Sequence, residues 1–411
     1  NYPKIYINAC LKITDDQLLD FTEYETSADA EFAPSETGYR ASLWYGDIGY
    51  YSSNAVIHMY NGSSLYLGQG VNIRDLDICY WAVNPDSLKS TKPEDVIGPW
   101  CNDDCSFIKC EGGCNIRLEN MRYEGERRVL IYLEDTPSAT SVTVKDCNIT
   151  AQNLLKESRS NGTLNLQIEG ASAITCERDV LLFDSGAYTE VNGESVKIAL
   201  DNNASWNSET KKPEGKGYLY SKSGAIIRNE QFNVGSRKGE VQIESGLLAG
   251  NGPALMDLNS GKNQLSIYMK AGSKYYQANG DSSIIRIRGS DQSRVYYQGG
   301  EILSQGKAFL NTMAEGGMDY RLILDGGLPV TKGNEPLKIL AEKQWVMPHI
   351  YLGAGKTEAY QEAEYASQIE LDLYNVERTS AFSDMSKLVG KMDPTDNLET
   401  IRPMFKLLHD G

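Results

Sequence analysis

The sequence lacks any long uncharged apolar run and is poor in basic residues. No stretch of about 18 residues, the length a membrane-crossing helix needs, is free of charged or turn-forming residues, which excludes such a helix. The chain carries 40 Lys+Arg against 56 Asp+Glu, a formal net charge of -16, and a sequence pI near 4.8. An acidic surface repels nucleic-acid phosphates and anionic lipids. We therefore expect no nucleic-acid partner and no membrane insertion.

Histidine is also scarce, because the 411 residues include only 3, namely His58, His349 and His409. They lie far apart in the sequence, without a Ser or Cys arrangement beside them. A Ser-His-Asp hydrolase therefore has little support, and we interpret each histidine as structural. The 40% hydrophobic content and the mean hydropathy of -0.43 are typical of a folded, soluble chain rather than a disordered one.

Two series of short strand-like segments recur through the middle of the chain. Apolar runs start at residues 129, 180, 225, 254, 284, 308 and 337. Segments that alternate apolar and polar residues start at 142, 164, 196, 241, 265, 295 and 322. Most starts in the first series lie about 24 to 30 residues apart, and helical periodicity between the segments is almost absent. A repeat of roughly 25 residues with two or three strands predicts a parallel β-solenoid, whose coils bury one another.

Two segments carry a family resemblance. GTLNLQIEGASAITCERDVLLFDSG (162–186) and SRVYYQGGEILSQGKAFLN (293–311) resemble coils of the right-handed parallel β-helix superfamily. That superfamily includes pectate-lyase-like enzymes, phage tailspikes and bacterial adhesins, and the resemblance covers about residues 60 to 378. It implies an all-β, right-handed, single-stranded parallel β-helix.

The chain divides into three parts on this interpretation. Residues 1–60 are aromatic-rich and weakly periodic, and we expect them to cap the solenoid or dock a partner. Residues 61–378 form the predicted β-helix, which includes a cysteine loop at 101–114 and an inserted polar loop at 202–217. In residues 379–411 apolar side chains fall at helical spacing, which predicts a short helical tail that caps the solenoid or binds a partner.

Eight cysteines, an even number, favour an oxidising compartment. Together with the start at Asn1, which indicates a removed leader or a fragment, this predicts an extracellular protein, secreted or on a cell or virion surface. Cys101, Cys105, Cys110 and Cys114 are spaced C-x3-C-x4-C-x3-C. Three alternatives stay open for them: disulfides within the loop or to Cys79, reduced thiols stacked in the coils, or a zinc site.

Two other cysteines, Cys147 and Cys176, fall at similar places in consecutive coils. We expect both side chains to pack inward as small hydrophobic groups.

Paired tyrosines give the strongest binding hypothesis. Tyr275, Tyr276 and Gln277 match Tyr296, Tyr297 and Gln298, and the step from position 275 to position 296 is close to one coil. If the two segments are in register, one tyrosine of each pair forms an outward ladder on which sugar rings stack. In the alternative, one tyrosine fills the core and the other forms an ordinary cross-strand pair.

Catalysis on polysaccharides is the competing hypothesis. A β-helix hydrolase needs two carboxylates a few ångströms apart across a groove. The motifs typical of polygalacturonases and pectate lyases are absent from the sequence. Carboxylates that share a face across coils in this interpretation are Asp281, Asp291, Glu301 and Asp325.

The sequence therefore predicts a non-catalytic extracellular surface or fibre component, of the adhesin or tailspike type. We expect it to bind glycan or a partner protein along the β-helix flank and to assemble through its termini, as a homo-oligomer or in a larger structure. It needs no cofactor on this interpretation. The alternative is a polysaccharide lyase or glycoside hydrolase with a carboxylate-lined groove.

Overall fold

A computed structural model describes residues 5–7, 10–13, 18–20, 57–74, 106–134, 139–158, 163–184, 190–230, 236–260, 264–289, 294–314, 321–324, 330–331, 337–341, 349–352, 369–373 and 406–410. Every regular element among them is a β-strand, so the described part of the chain is all-β. It contains no helix that is long and apolar enough to span a membrane.

The strands follow one another in short intervals along the chain. The first sixteen are β1 (Ile5–Ile7), β2 (Cys10–Ile13), β3 (Leu18–Asp20), β4 (Ile57–Tyr60), β5 (Ser64–Gly68), β6 (Asn72–Arg74), β7 (Ser106–Glu111), β8 (Asn115–Glu119), β9 (Arg122–Glu134), β10 (Thr140–Lys145), β11 (Asn148–Ser158), β12 (Leu164–Gly170), β13 (Ala173–Cys176), β14 (Leu181–Asp184), β15 (Glu190–Leu200) and β16 (Ser205–Asn207). The remaining ones are β17 (Lys212–Glu214), β18 (Tyr218–Ser221), β19 (Ile227–Glu230), β20 (Ser236–Gly250), β21 (Ala254–Ser260), β22 (Gln264–Gln277), β23 (Ser283–Gly289), β24 (Arg294–Gln298), β25 (Glu301–Ser304), β26 (Ala308–Ala314), β27 (Arg321–Leu324), β28 (Val330–Thr331), β29 (Leu337–Ala341), β30 (His349–Leu352), β31 (Ile369–Leu373) and β32 (Lys406–Asp410).

These strands form a parallel β-solenoid with three faces. It makes about six turns in the middle of the chain, and further strands extend the faces at both ends. Face A contains β1, β4, β7, β14, β19, β21, β23, β26, β29, β31, β32 and the second halves of β9 and β11. Face B contains β2, β5, β8, β10, β12, β15, β24, β27, β30 and the first halves of β20 and β22. Face C contains β3, β6, β13, β18, β25, β28, the first halves of β9 and β11 and the second halves of β20 and β22.

Alternation along each strand produces the core. On face B one inward column runs in register across eight strands and consists only of aliphatic side chains, all at most 1% exposed: Leu65, Ile116, Val142, Leu166, Val196, Val241, Ile267 and Val295. Each coil thus buries the side chains of the coil beneath it, because one coil has too little volume to do so alone. The predicted fold class and repeat are confirmed, and the right-handed sense of the coil stays a prediction.

The predicted insertion at 202–217 is confirmed and forms an antiparallel hairpin from β16 and β17. The hairpin returns to the solenoid at Gly217, which has a φ of 88°. A Cβ atom at this position would collide with the carbonyl oxygen of Asp201, so the turn requires glycine. The hairpin packs on face C, where the Trp206 ring stacks on the Tyr276 ring at a centroid distance of 4.2 Å.

The proposed terminal parts are described only at a few strands. Strands β1, β2 and β3 pair with β4, β5 and β6, so the described pieces of residues 1–60 continue the three faces. In residues 379–411 the described piece, Lys406–Asp410, is a strand paired with β31 and not a helix. The rest of both segments, and with it the capping and docking roles, lies outside the described residues.

Candidate functional site

The outer surface of face B carries a column of short polar side chains. Strands β5, β8, β10, β12 and β15 are paired in register at this column. The column, which we call the Ser/Asn file, consists of Ser64, Asn115, Ser141, Asn165 and Ser195. It spans roughly 19 Å, or four strand spacings of about 4.8 Å each. Successive coils therefore present a hydroxyl and a carboxamide in alternation.

A groove with a volume of about 570 Å³ follows this file along the corner where the chain enters face B. Besides the file itself, its described lining consists of Gly62, Ser63, Gly113, Cys114, Ala139, Thr140, Thr163 and Leu164. None of these lining residues is charged. The groove falls in the size range of small-molecule sites.

The floor of the groove is built from main-chain groups that already have partners. The backbone N–H of Asn115 donates to the Ser63 carbonyl at 3.0 Å, and that of Ser141 donates to the Cys114 carbonyl at 2.9 Å. The side chains of Asn115, Asn165 and Ser195 are exposed, and those of Ser64 and Ser141 are half-buried. Within the described part of the chain these five side chains form no hydrogen bond, so their donors and acceptors face solvent.

A second outward column lies two residues further along the same strands and continues onto β20, where Glu240 follows Ser195 in register and ends the Ser/Asn file. It contains Tyr66, Arg117, Thr143, Gln167, Lys197 and Gln242. The charged members are paired: Arg117 binds Glu119 at 2.5 Å, and Lys197 binds Glu244 at 3.3 Å. Hydrogen bonds from Lys270 and Lys197 lower the pKa of Glu244, so its carboxylate stays charged near neutral pH. The second column is thus polar with locally balanced charge.

The second column continues into a pair of stacked tyrosines. Tyr268 follows Gln242 in register, and Tyr296 follows Tyr268. Their ring centroids are 4.6 Å apart with an interplanar angle of 12°, and both side chains are half-buried. Face B therefore combines a neutral hydrogen-bonding groove, which ends at β15, with outward aromatic surface on β22 and β24, and strand β20 lies between the two.

The predicted ladder between residues 275–277 and 296–298 is wrong in its register. Tyr275 lies on face C opposite Ile302, whereas Tyr296 lies on face B opposite Tyr268. The neighbours match the alternative interpretation, because Tyr275 and Tyr297 are in the core. Turn lengths vary between coils, so the residue one coil before Tyr296 is Tyr268 and not Tyr275.

The glutamines and the outer tyrosine of these segments are also separated. Gln277 is buried, and its amide donates to the Ser283 carbonyl at 2.9 Å. Gln298 lies outward on face B beside Lys270, while Tyr276 lies on face C under the hairpin. A role of these residues in glycan binding stays a prediction, and only Tyr296 and Gln298 share the face of the groove.

The structure does not bring the four candidate carboxylates together in one site. Asp281 is exposed in the turn after β22, and Glu301 is exposed at the start of β25, opposite Lys274. Asp291 and Asp325 lie outside the described residues. A catalytic role for any of them stays a prediction.

Four cysteines whose side chains the structure describes are buried free thiols. Cys110, Cys114, Cys147 and Cys176 form no disulfide. For Cys110 and Cys114 this overturns the disulfide interpretation, while Cys79, Cys101 and Cys105 lie outside the described residues. Cys147 and Cys176 pack inward as predicted. Burial raises the pKa of Cys147 to about 11 and that of Cys176 further, so both thiols are protonated and unreactive at neutral pH.

Of the four proposed zinc ligands, only two are among the described residues, namely Cys110 and Cys114, and Cys101 and Cys105 are not. Among the described residues, no group of three or more His, Cys, Asp or Glu side chains is arranged to hold a metal ion.

No family model, curated protein or solved structure matches this chain. The architecture of a parallel β-solenoid is therefore established by the strand pairing alone, and the assignment to the right-handed β-helix superfamily stays a resemblance.

Proposed function

We propose that the protein is a non-catalytic glycan-binding solenoid and that face B is its binding surface. The observation that carries this proposal is the Ser/Asn file in an uncharged groove, on the same face as the stacked pair Tyr268 and Tyr296. Hydroxyl and carboxamide groups both donate and accept hydrogen bonds, as sugar hydroxyls require. Tyrosine rings offer apolar surface for sugar rings and a phenol group for their hydroxyls.

Binding without turnover is supported by the composition of the groove. The described lining contains no carboxylate and no histidine, whereas hydrolysis of a glycosidic bond needs two carboxyl groups across the substrate. A lyase or hydrolase reaction would have to use residues elsewhere on the molecule.

The wider role follows as a proposal from the sequence. We propose an extracellular surface or fibre component that presents face B to a glycan and assembles with other copies through its terminal segments. Because the cysteine side chains that the structure describes are free thiols, they give no support to an oxidising compartment. The location thus rests on the resemblance to tailspikes and adhesins.

A glycan array with the full chain tests the proposal. We expect wild-type protein to bind a neutral glycan, and Tyr296→Ala or the double variant Asn115→Ala/Asn165→Ala to lose at least about tenfold in affinity. Asn259→Ala, at an outward position on face A, and Asn203→Ala in the hairpin insertion are matched controls that leave binding unchanged.

Turnover is followed on the same glycans through reducing ends and absorbance in the ultraviolet, where the unsaturated products of a lyase absorb. Release of products by wild-type protein would overturn the non-catalytic role. Binding that the controls reduce as much as the face B variants would overturn the proposed surface.

A further inference from the structure

Serine and asparagine alternate along the Ser/Asn file, so each side-chain type recurs on every second coil. This repeat limits the classes of ligand that can contact every coil in the same way. Ser64, Ser141 and Ser195 lie on every second strand, and Asn115 and Asn165 lie on the strands between them. The same side chain therefore recurs after roughly 9.6 Å, twice the strand spacing of about 4.8 Å. A ligand that uses every rung must itself have a repeat of two units at this distance.

Extended β-1,4-linked sugar chains have such a repeat. Each pyranose ring advances the chain by slightly more than one strand spacing, and successive rings are flipped. The hydroxymethyl groups therefore alternate between the two edges of the ribbon. A short serine leaves room for a hydroxymethyl group that points to the floor, and a longer asparagine reaches the ring hydroxyls of the flipped sugar.

The charge of the surroundings favours a neutral sugar chain. The described groove lining has no cation for a uronate carboxylate, and nearby Arg117 and Lys197 are paired with Glu119 and Glu244. The whole chain has a formal net charge of -16, which repels polyanions. Acidic polysaccharides are therefore disfavoured at this groove.

We propose that the Ser/Asn file binds a neutral, ribbon-like β-1,4-linked glycan parallel to the solenoid axis, with one sugar per strand and a two-sugar register. This inference rests on the proposed function and names its ligand class. The five rungs accommodate about five sugars, so each added sugar contributes contacts only up to that length.

Calorimetric titration with oligosaccharides of two to seven sugars tests the inference. The probes are β-1,4-linked glucose, mannose and N-acetylglucosamine oligomers, with α-1,4-linked glucose and α-1,4-linked galacturonate oligomers for comparison. We expect at least one β-1,4 series to bind, with an affinity that rises up to about five sugars and then levels off. The α-1,4 and the anionic series are expected to bind at least about tenfold more weakly.

Exchanging two residues of the file tests whether binding depends on the order of serine and asparagine or only on their polarity. Asn115→Ser/Ser141→Asn keeps the composition of the file but breaks its alternation. We expect this variant to lose about tenfold in affinity for the pentasaccharide. The swap removes about two hydrogen bonds, and each contributes roughly threefold to tenfold in affinity. Asn203→Ser is the control outside the file, and thermal unfolding checks that the swap variant folds as wild type does.

The outcomes distinguish this inference from the proposed function. Wild-type affinity in the swap variant, or equal binding of α-1,4 and β-1,4 chains, overturns the two-sugar register and leaves glycan binding at face B standing. If binding requires Tyr296 but not Asn115, the proposed role of the Ser/Asn file is overturned, and glycan binding at face B still stands. Failure of every glycan, on the array and in titration, overturns both.

Discussion

At the scale of single residues, Asn229 is an exception to the apolar core. It lies on β19 between Phe183 of one coil and Leu258 of the next, and its side chain is 0% exposed. Neither its amide oxygen nor its amide nitrogen has a hydrogen-bond partner among the described residues. An unpaired buried amide loses its hydration without compensation, which costs about 1–3 kcal/mol.

Replacing this amide by an apolar side chain of similar size removes the penalty. We expect Asn229→Leu to raise the free energy of unfolding by about 1–3 kcal/mol in urea titrations followed by circular dichroism. Asn259→Leu, on the next coil at an outward and half-buried position, is the control and should change stability by less than about 0.5 kcal/mol. A loss of stability in Asn229→Leu would show that the amide has a partner, such as a buried water, and refute the interpretation.

Residue identity alone does not tell the two tyrosines of a pair apart. Tyr296 and Tyr297 are chemically alike, yet one is outward and the other is 2% exposed. Alternation predicts that they face opposite sides, and the flanking Val295 on the inward column decides which is which. Residues 266–270 carry the same pattern as Arg294–Gln298, so a comparison of these two runs finds the pair Tyr268 and Tyr296.

At the scale of strands, an ion-pair network crosses the coils of face A. The carboxylate of Asp257 on β21 accepts hydrogen bonds from Arg286 at 3.0 and 2.6 Å and from Arg288 at 2.9 and 2.9 Å. Both arginines lie on β23, the next strand of the face, and Asp257 itself is 0% exposed. Burial alone would raise the pKa of Asp257, but the two guanidinium groups lower it overall.

Removing the carboxylate charge takes away the counter-ion of Arg286 and leaves Arg288 only its longer pair with Glu230, at 3.9 Å. We expect Asp257→Asn to lower the free energy of unfolding by about 3–5 kcal/mol at neutral pH. Because the folded-state pKa is lowered, the stabilisation is present above the unfolded pKa of about 3.9 and is lost as pH falls through the folded value. The difference between wild type and variant should therefore shrink below about pH 4.

Urea unfolding over a series of pH values, from strongly acidic to neutral, measures this difference. Asp281→Asn, in an exposed turn, is the matched control and should have little effect at any pH. A difference for Asp257→Asn that does not depend on pH would contradict a stabilising role of the charged carboxylate.

The strands themselves could be predicted from the sequence, but their pairing could be predicted only in part. Alternation places Val142, Leu166 and Val196 inward on β10, β12 and β15, as observed. The step from Val142 to Leu166 is shorter than the step from Leu166 to Val196, so turn length varies between coils. Pairing register depends on these turn lengths, which is why the network at Asp257 and the Ser/Asn file had no local sequence signal.

At the scale of the whole molecule, the described strand pairings connect neighbouring coils, while the hairpin insertion reaches further through the contact of Trp206 with Tyr276. Ile149 on β11 lies between Tyr123 of β9 and Ile174 of β13. Ile287 on β23 lies between strands β21 and β26, several coils away. Both isoleucines are at most 1% exposed, so each fills the core of its own coil. In such repeat architectures stability is a sum of local terms and nearest-neighbour interfaces.

Hydrogen exchange in two core variants tests this one-dimensional coupling. Ile149→Ala and Ile287→Ala each remove similar buried volume, at a cost of about 2–5 kcal/mol. We expect Ile149→Ala to accelerate amide exchange in β9, β11 and β13 but not in β21, β23 and β26, and Ile287→Ala to have the converse effect. Each variant thus serves as the control of the other. Equal acceleration of exchange along the whole chain in both variants would mean that the molecule opens as a single cooperative unit. Acceleration confined to each variant's own coils would establish local opening as the dominant motion of the solenoid.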